Sequence, residues 1–133
     1  MPKTPGGRII RLDPRGPGDV PLVATAFIES EWVDEGVADE RGHVYYTNPE
    51  GNVQVGFWEC TSFRETIAFP YDEFGYVLEG TLELTDESGE TETFGPGDLF
   101  FIPRGTTVTW HLTEFFKQYY MIFAPSEEQY YKL

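Results

Sequence analysis

The sequence predicts an all-β domain whose strands close into a sandwich or barrel. Short segments of strand length, each separated from the next by turn residues, recur roughly every ten positions along most of the chain. No long stretch repeats its apolar residues with the 3.6-residue period of an amphipathic helix. Aromatic residues make up 17% of the 133-residue chain, far more than a disordered chain carries. A chain of this length buries roughly two-thirds of its unfolded surface, so a single core needs no staples.

Residues 1–19 collect Pro2, Pro5, Gly6, Gly7, Pro14, Gly16, Pro17 and Gly18 around the short apolar pair Ile9-Ile10. They read as an N-terminal arm with room for one edge strand, ahead of a domain over 20–133. From Val20 to Gly42 the pattern is ambiguous, because Phe27, Ile28, Trp32 and Val33 suit a strand or one helical turn equally. His43 to Thr47 and Val53 to Cys60 flank Asn48-Pro49-Glu50-Gly51-Asn52, a turn in which Pro presets φ and Gly supplies a positive φ. Tyr76 to Thr85 contains a strict alternation, Leu82 and Leu84 against Thr81, Glu83 and Thr85, as a half-buried strand requires. It meets Thr91 to Phe94 across a loop containing Gly89, which predicts a hairpin. Leu99 to Ile102, Val108 to Leu112 and Lys117 to Phe123 complete the expected strands. After Pro125, Ser126-x-x-Gln129 resembles a capping box and predicts a short C-terminal helix.

Charge and cysteine content narrow the function. Acidic residues outnumber basic ones 23 to 9, a net charge of −14. Nucleic acid and anionic membrane surfaces are attracted by clustered Lys and Arg, so neither is an expected partner. Cys60 is the only cysteine, which excludes an internal disulfide and a Cys-rich zinc site. The first ten residues hold no apolar stretch of signal length, and no run of about 18 apolar residues occurs. A soluble, cytoplasmic protein is expected.

Two motifs carry more information. Glu73-Phe-Gly-Tyr-Val-Leu-Glu-Gly80 enters a strand at a carboxylate and leaves it at a glycine turn. Gly97-Asp-Leu-Phe-Phe-Ile-Pro103-Arg-Gly105 follows after a hairpin. In this order and spacing the pair resembles the two signature motifs of the cupin superfamily, which implies an RmlC-like jelly-roll β-barrel. Trp58-Glu59-Cys60-Thr61, Tyr71-Asp72-Glu73-Phe74, Thr109-Trp110 and Glu114 with Lys117 and Tyr119 resemble the single-domain cupins related to ureidoglycine aminohydrolase. That likeness covers about residues 55–123. It implies a fold more readily than a reaction. Cupin barrels commonly pair through an N-terminal strand, so a homodimer is also expected.

The departures from the family pattern decide the chemistry. A metal-binding cupin places His-x-His three or four residues before the first-motif Glu, where this chain has Ile67 and Phe69, or Thr66 and Ala68. The histidine of the second motif is replaced by Val108. Glu73 alone cannot hold a transition metal, since such sites need several converging N, O or S ligands. No metal and no cofactor are therefore expected. His111 lies one residue past Trp110 and should face outward if Val108 and Trp110 face inward. His43 sits near an expected edge.

Glu73 is expected on the inner wall, where a lone carboxylate is costly unless paired or protonated. Lys117 is its candidate partner, with the tyrosine hydroxyls of Tyr119 or Tyr120 as substitutes. Such a pair would either fix barrel geometry or act as a general acid/base beside a pocket. Trp110, Tyr119, Tyr71 and Trp58 are the candidate ligand-binding side chains. Cys60 has no neighbouring base in sequence to activate it. Three functional classes stay open. The first is a metal-independent enzyme acting on a small polar metabolite, with Glu73 as acid/base and Lys117 as anchor. The second is a non-catalytic ligand-binding barrel. The third is a metalloenzyme with unusual ligands drawn from Glu73, Glu65, Tyr119 and His111.

Overall fold

Every strand pairing is antiparallel in the computed structural model, which describes residues 7–124. The strands are β1 Val23–Ala24, β2 Val33–Gly36, β3 Glu40–Thr47, β4 Val53–Cys60, β5 Phe63–Ala68 and β6 Asp72–Glu79. They continue with β7 Leu82–Thr85, β8 Thr91–Phe94, β9 Leu99–Ile102, β10 Thr107–Leu112 and β11 Phe116–Phe123. One short 3-10 turn, Ser30–Trp32, precedes β2. One sheet runs in the order β1-β3-β4-β11-β6-β9 and the other β2-β5-β10-β7-β8. The two face each other as the halves of a barrel, the all-β cupin fold that the two motifs imply.

Alternation decides which side chains fill it. In β10, Val108, Trp110 and Leu112 are buried while Thr107, Thr109 and His111 are not. The two motifs meet in space: β6 pairs β9, with Glu73 opposite Ile102. The Asp72 carboxylate accepts from the Arg104 backbone N–H at 2.7 Å, and the Gly105 N–H donates to the Phe69 carbonyl at 2.8 Å.

The stretch Tyr76 to Thr85, one strand by alternation, is divided. β6 lies in one sheet and β7 in the other, and the chain crosses between them at Gly80. Gly80 has φ +88°, and a Cβ there would press into the Phe115 carbonyl. β5 is absent from the strands expected above, and the ambiguous segment resolves into β1, the 3-10 turn and β2. Ile9-Ile10 forms no strand. The terminal helix expected after Pro125 lies outside the described residues. No helix among the described residues is long and apolar enough to cross a membrane.

Two internal anchors tie the N-terminal region to the barrel. The Tyr119 hydroxyl donates to the Asp13 carbonyl at 2.6 Å. Around it, Phe57 and Tyr45 pack edge-on against the Tyr119 ring on the outer face of the six-stranded sheet. Phe57 points outward and is nonetheless only 1% exposed. The second anchor is Glu40, 6% exposed at the start of β3. Its Oε1 accepts from the Thr25 hydroxyl at 2.6 Å, the Phe27 N–H at 3.1 Å and the Trp58 indole N–H at 2.9 Å. Its Oε2 accepts from the Ile28 N–H at 2.8 Å.

Two outcomes follow from this architecture. Gly80→Ala should lower stability in urea unfolding by about 1–3 kcal/mol, because it adds a strained φ to a steric conflict. Glu40→Ala, which leaves the Trp58 indole and two backbone donors unpaired, should cost about 3 kcal/mol or more in the same measurement.

Candidate functional site

The barrel interior is not filled solid. A cavity of about 40 Å³ lies among Trp58, Glu65, Phe69, Glu73, Trp110 and Gln118, with Phe27, Ile28, Trp32 and Pro70 toward one end. That end is its rim, since these four residues are half-buried while the deeper ones are fully buried.

Strand parity brings each polar group inward. β5 buries Phe63 and Glu65 and turns Thr66 out, where its hydroxyl meets that of Thr109 at 2.9 Å. β6 buries Glu73, Gly75 and Val77. β11 buries Phe116, Gln118, Tyr120 and Ile122 on the same side. Gln118 stands opposite Val77, yet its amide Nε2 donates to Glu73 Oε2 at 2.9 Å. It lies beside Gly75, where a Cβ would press first into the Phe100 ring and then come within 2.9 Å of Gln118 Oε1.

Three buried side-chain atoms among the described residues have no hydrogen-bond partner: Glu65 Oε1, Trp110 Nε1 and Gln118 Oε1. All three residues line the cavity. Folded proteins rarely leave such groups unpaired, because desolvation without compensation costs about 1–3 kcal/mol each. Their concentration around one cavity marks it as the candidate site.

The electrostatics agree. Burial pushes the Glu73 carboxyl up to about 7, opposed only in part by the Gln118 amide. Burial pushes Glu65 up to about 8, with the nearby Glu40 and Glu73 carboxylates adding to the rise. Edge-on and stacked rings surround them, Trp110 against Trp58 at 6.0 Å and against Phe69 at 6.2 Å. Both carboxyls can give or take a proton near neutral pH, the condition for general acid–base work.

The sequence-predicted residues divide cleanly. Glu73, Trp58, Tyr71 and Trp110 line the cavity. Lys117 does not: it falls on the outward parity of β11, opposite Glu79, and its Nζ lies 3.4 Å from the Glu79 carboxylate. The expected Glu73–Lys117 pair is therefore corrected to Glu73–Gln118. Tyr119 is also outward, serving the arm instead of the cavity. Tyr120 faces in, but its hydroxyl donates to Gln54 Oε1 at 2.6 Å. His111 faces outward between Glu83, 3.3 Å away, and Glu35, 3.8 Å away. His43 packs edge-on against Tyr45. Burial raises the Cys60 thiol well above its usual range, which removes it as a nucleophile.

The residues present do not fit the transition metal of the wider cupin superfamily. Ile67 and Phe69 are the members of the alternative pairs that face the cavity, and Val108 stands opposite Ile67. No group of three or more His, Cys, Asp or Glu that could hold a metal occurs among the described residues.

Gln118 was missed by sequence reasoning. Its only signal was an amide on the apolar face of the last strand. In the sequence Glu65 stands out only as an unusual metal ligand, and nothing singles out Glu40.

Comparison with known proteins supports this frame. The chain resembles the structure of a DUF861-family protein of unknown function from Pseudomonas syringae pv. tomato, with a TM-score of 0.75 at 19% identity. The match covers 84% of this chain and 46% of that one, so the chain spans just under half of that protein's length. The EutQ protein of Clostridium difficile matches with a TM-score of 0.58 at 24% identity, over 77% of this chain and 81% of its own. A protein of unknown function from Rhizobium leguminosarum matches with a TM-score of 0.54 at 28% identity, over 64% and 81% respectively. No curated protein matches the chain in sequence. The model of the EutQ-like cupin domain matches residues 47–120, more than half of the chain and the span that holds Glu65, Glu73, Trp110 and Gln118, and the protein belongs to that family.

Proposed function

We propose that this protein binds a small polar metabolite inside the barrel and transforms it by proton transfer at Glu73, with Glu65 as the second carboxyl, without a transition metal. The observation that carries this reading is the convergence of three unpaired buried polar atoms, on Glu65, Trp110 and Gln118, on one cavity. A ligand that hydrogen-bonds there recovers free energy the empty protein forgoes. Glu73 is the acid/base of choice because its raised value sits nearest neutral pH. The anchoring role expected of Lys117 passes to Gln118 and the Trp110 indole. The finer likeness to ureidoglycine aminohydrolase cupins belongs to the same proposal, since acid–base chemistry on a small nitrogenous metabolite is what the two carboxyls would serve.

A second reading, binding without turnover, draws on the small size of the cavity and its aromatic walls. The homodimer is likewise proposed. Phe74, Leu99, Phe101, Met121 and Phe123, each at least 41% exposed, lie on the outward parity of neighbouring strands β6, β9 and β11. A contiguous apolar face of this kind suits a second copy. Light scattering should report a dimer, and a monomer at micromolar concentration removes this clause.

The catalytic reading is tested with Glu73→Gln. Turnover of a metabolite found by screening, measured at saturating concentration, should fall at least a hundredfold; unchanged turnover refutes Glu73 as the acid/base. Stability provides an independent check. Both carboxyls have folded-state values above their ordinary ones, so their protonated forms favour the fold. Stability is greatest below about pH 4.5 for these two groups, and falls as pH rises through about 7 and 8. Relative to the unsubstituted protein, Glu73→Gln should raise stability at pH 9 by about 3 kcal/mol and Glu65→Gln by about 5 kcal/mol, with little change at pH 5. Chemical denaturation at both pH values reads the difference.

A further inference from the structure

We propose that the cavity selects a small organic cation carrying one oxygen acceptor, such as a protonated amine with a neighbouring carbonyl or hydroxyl. The inference rests on the reading of the cavity as a ligand site. Among the described residues no Lys, Arg or His lines the cavity, whereas two carboxyl-bearing residues do. The basic side chains on the strands that wall it, β5, β10 and β11, are held on the outer surface: Arg64 by Asp34, His111 between Glu35 and Glu83, and Lys117 by Glu79. An anion would enter without a counter-charge, at a large desolvation cost. A cation meets the carboxyls of Glu65 and Glu73 among the aromatic side chains of Trp58, Phe69 and Trp110.

The unpaired atoms refine the class. Glu65 Oε1 and Gln118 Oε1 are acceptors awaiting N–H groups, and the Trp110 indole is a donor awaiting one oxygen. A ligand with several N–H donors and a single acceptor satisfies all three. The size of the cavity limits it to a handful of heavy atoms.

Protons are coupled to this binding. Glu65 is faced by Glu40 from β3, Cys60 from β4 and Glu73 from β6, all acidic groups, and Glu73 is bonded to the neutral Gln118 from β11. Tyr71 and Tyr120 also line the space. No cationic group among the described residues opposes them, so the empty site keeps at least one carboxyl protonated at pH 6. An entering cation lowers that value, and one proton leaves a carboxyl for the buffer.

The test uses three matched probes at pH 6.0: glycinamide as the cation, glycolamide as the neutral isostere and oxamate as the anion. The chain has three tryptophans, so the Trp110 indole N–H resonance is assigned by comparison with Trp110→Phe. Glycinamide should shift that resonance, and calorimetry in buffers of different ionisation enthalpy should show release of about one proton. Its dissociation constant should fall about tenfold per pH unit between pH 5 and 6.5. Glu65→Gln and Glu73→Gln, with their fold checked by circular dichroism, should each weaken it at least tenfold. Glycolamide or oxamate binding as tightly as glycinamide overturns the cationic class but leaves the cavity a ligand site. Silence of all three probes overturns the inference. If protein as purified also carries no bound small molecule by native mass spectrometry, the reading of the cavity as a ligand site fails with it.

Discussion

Four hydrogen bonds to the Glu40 carboxyl hold the wall of the site in place. Two come from the backbone of Phe27 and Ile28, one from Thr25 and one from the Trp58 indole. The segment that precedes the 3-10 turn has almost no strand structure of its own, so its position depends on this carboxyl. Phe27 and Ile28 then close one end of the cavity, and Trp58 presents its ring to Trp110. A buried carboxyl is tolerated when donors surround it. Glu40 meets that condition fully.

Set beside Glu40, the other two interior carboxyls form a gradient of satisfaction. Glu73 accepts one hydrogen bond from Gln118, and Glu65 Oε1 accepts none. Their proton affinities are raised mainly by burial. A barrel stabilised only by packing would gain from apolar residues at both positions. The structure instead supports Glu73 with the Gln118 amide, and Gly75 leaves the room beside it that the Phe100 ring and Gln118 Oε1 share.

Legibility in the sequence followed the same division. The strands around the two motifs were readable because their apolar alternation and glycine turns agree with the fold at every level. β5 was not, because its inward position 65 holds a glutamate where the alternation needs an apolar residue, and the interrupted pattern reads as a loop. The residue that hid the strand is a member of the site. Lys117 and Tyr119 failed for a different reason. The last strand is apolar on both faces, since Tyr119 packs under the arm while Tyr120 and Ile122 fill the interior. Alternation therefore cannot reveal its parity, and the register shift between Lys117 and Gln118 adds to the ambiguity. Gln118 and Glu40 escaped notice because nothing local to either residue reveals partners that stand 45 and 12 to 18 positions away.

Ile67, Phe69 and Val108 occupy the positions where imidazoles would hold a metal, and this exchange reverses the electrostatics of the interior. A bound divalent ion would draw the surrounding carboxyls toward their charged forms. Aliphatic and aromatic side chains do the opposite: they lower the local polarity and push Glu65 and Glu73 toward neutrality. At the Glu73 position, where a metal cupin would hold a charged ligand, burial instead favours the protonated carboxyl, the property on which the proposed acid–base role rests. Among the described residues, two carboxyls, the Gln118 carbonyl oxygen and several aromatic side chains line a space that no Lys, Arg or His enters. In the proposed reading, the charge that balances these carboxyls arrives with the ligand.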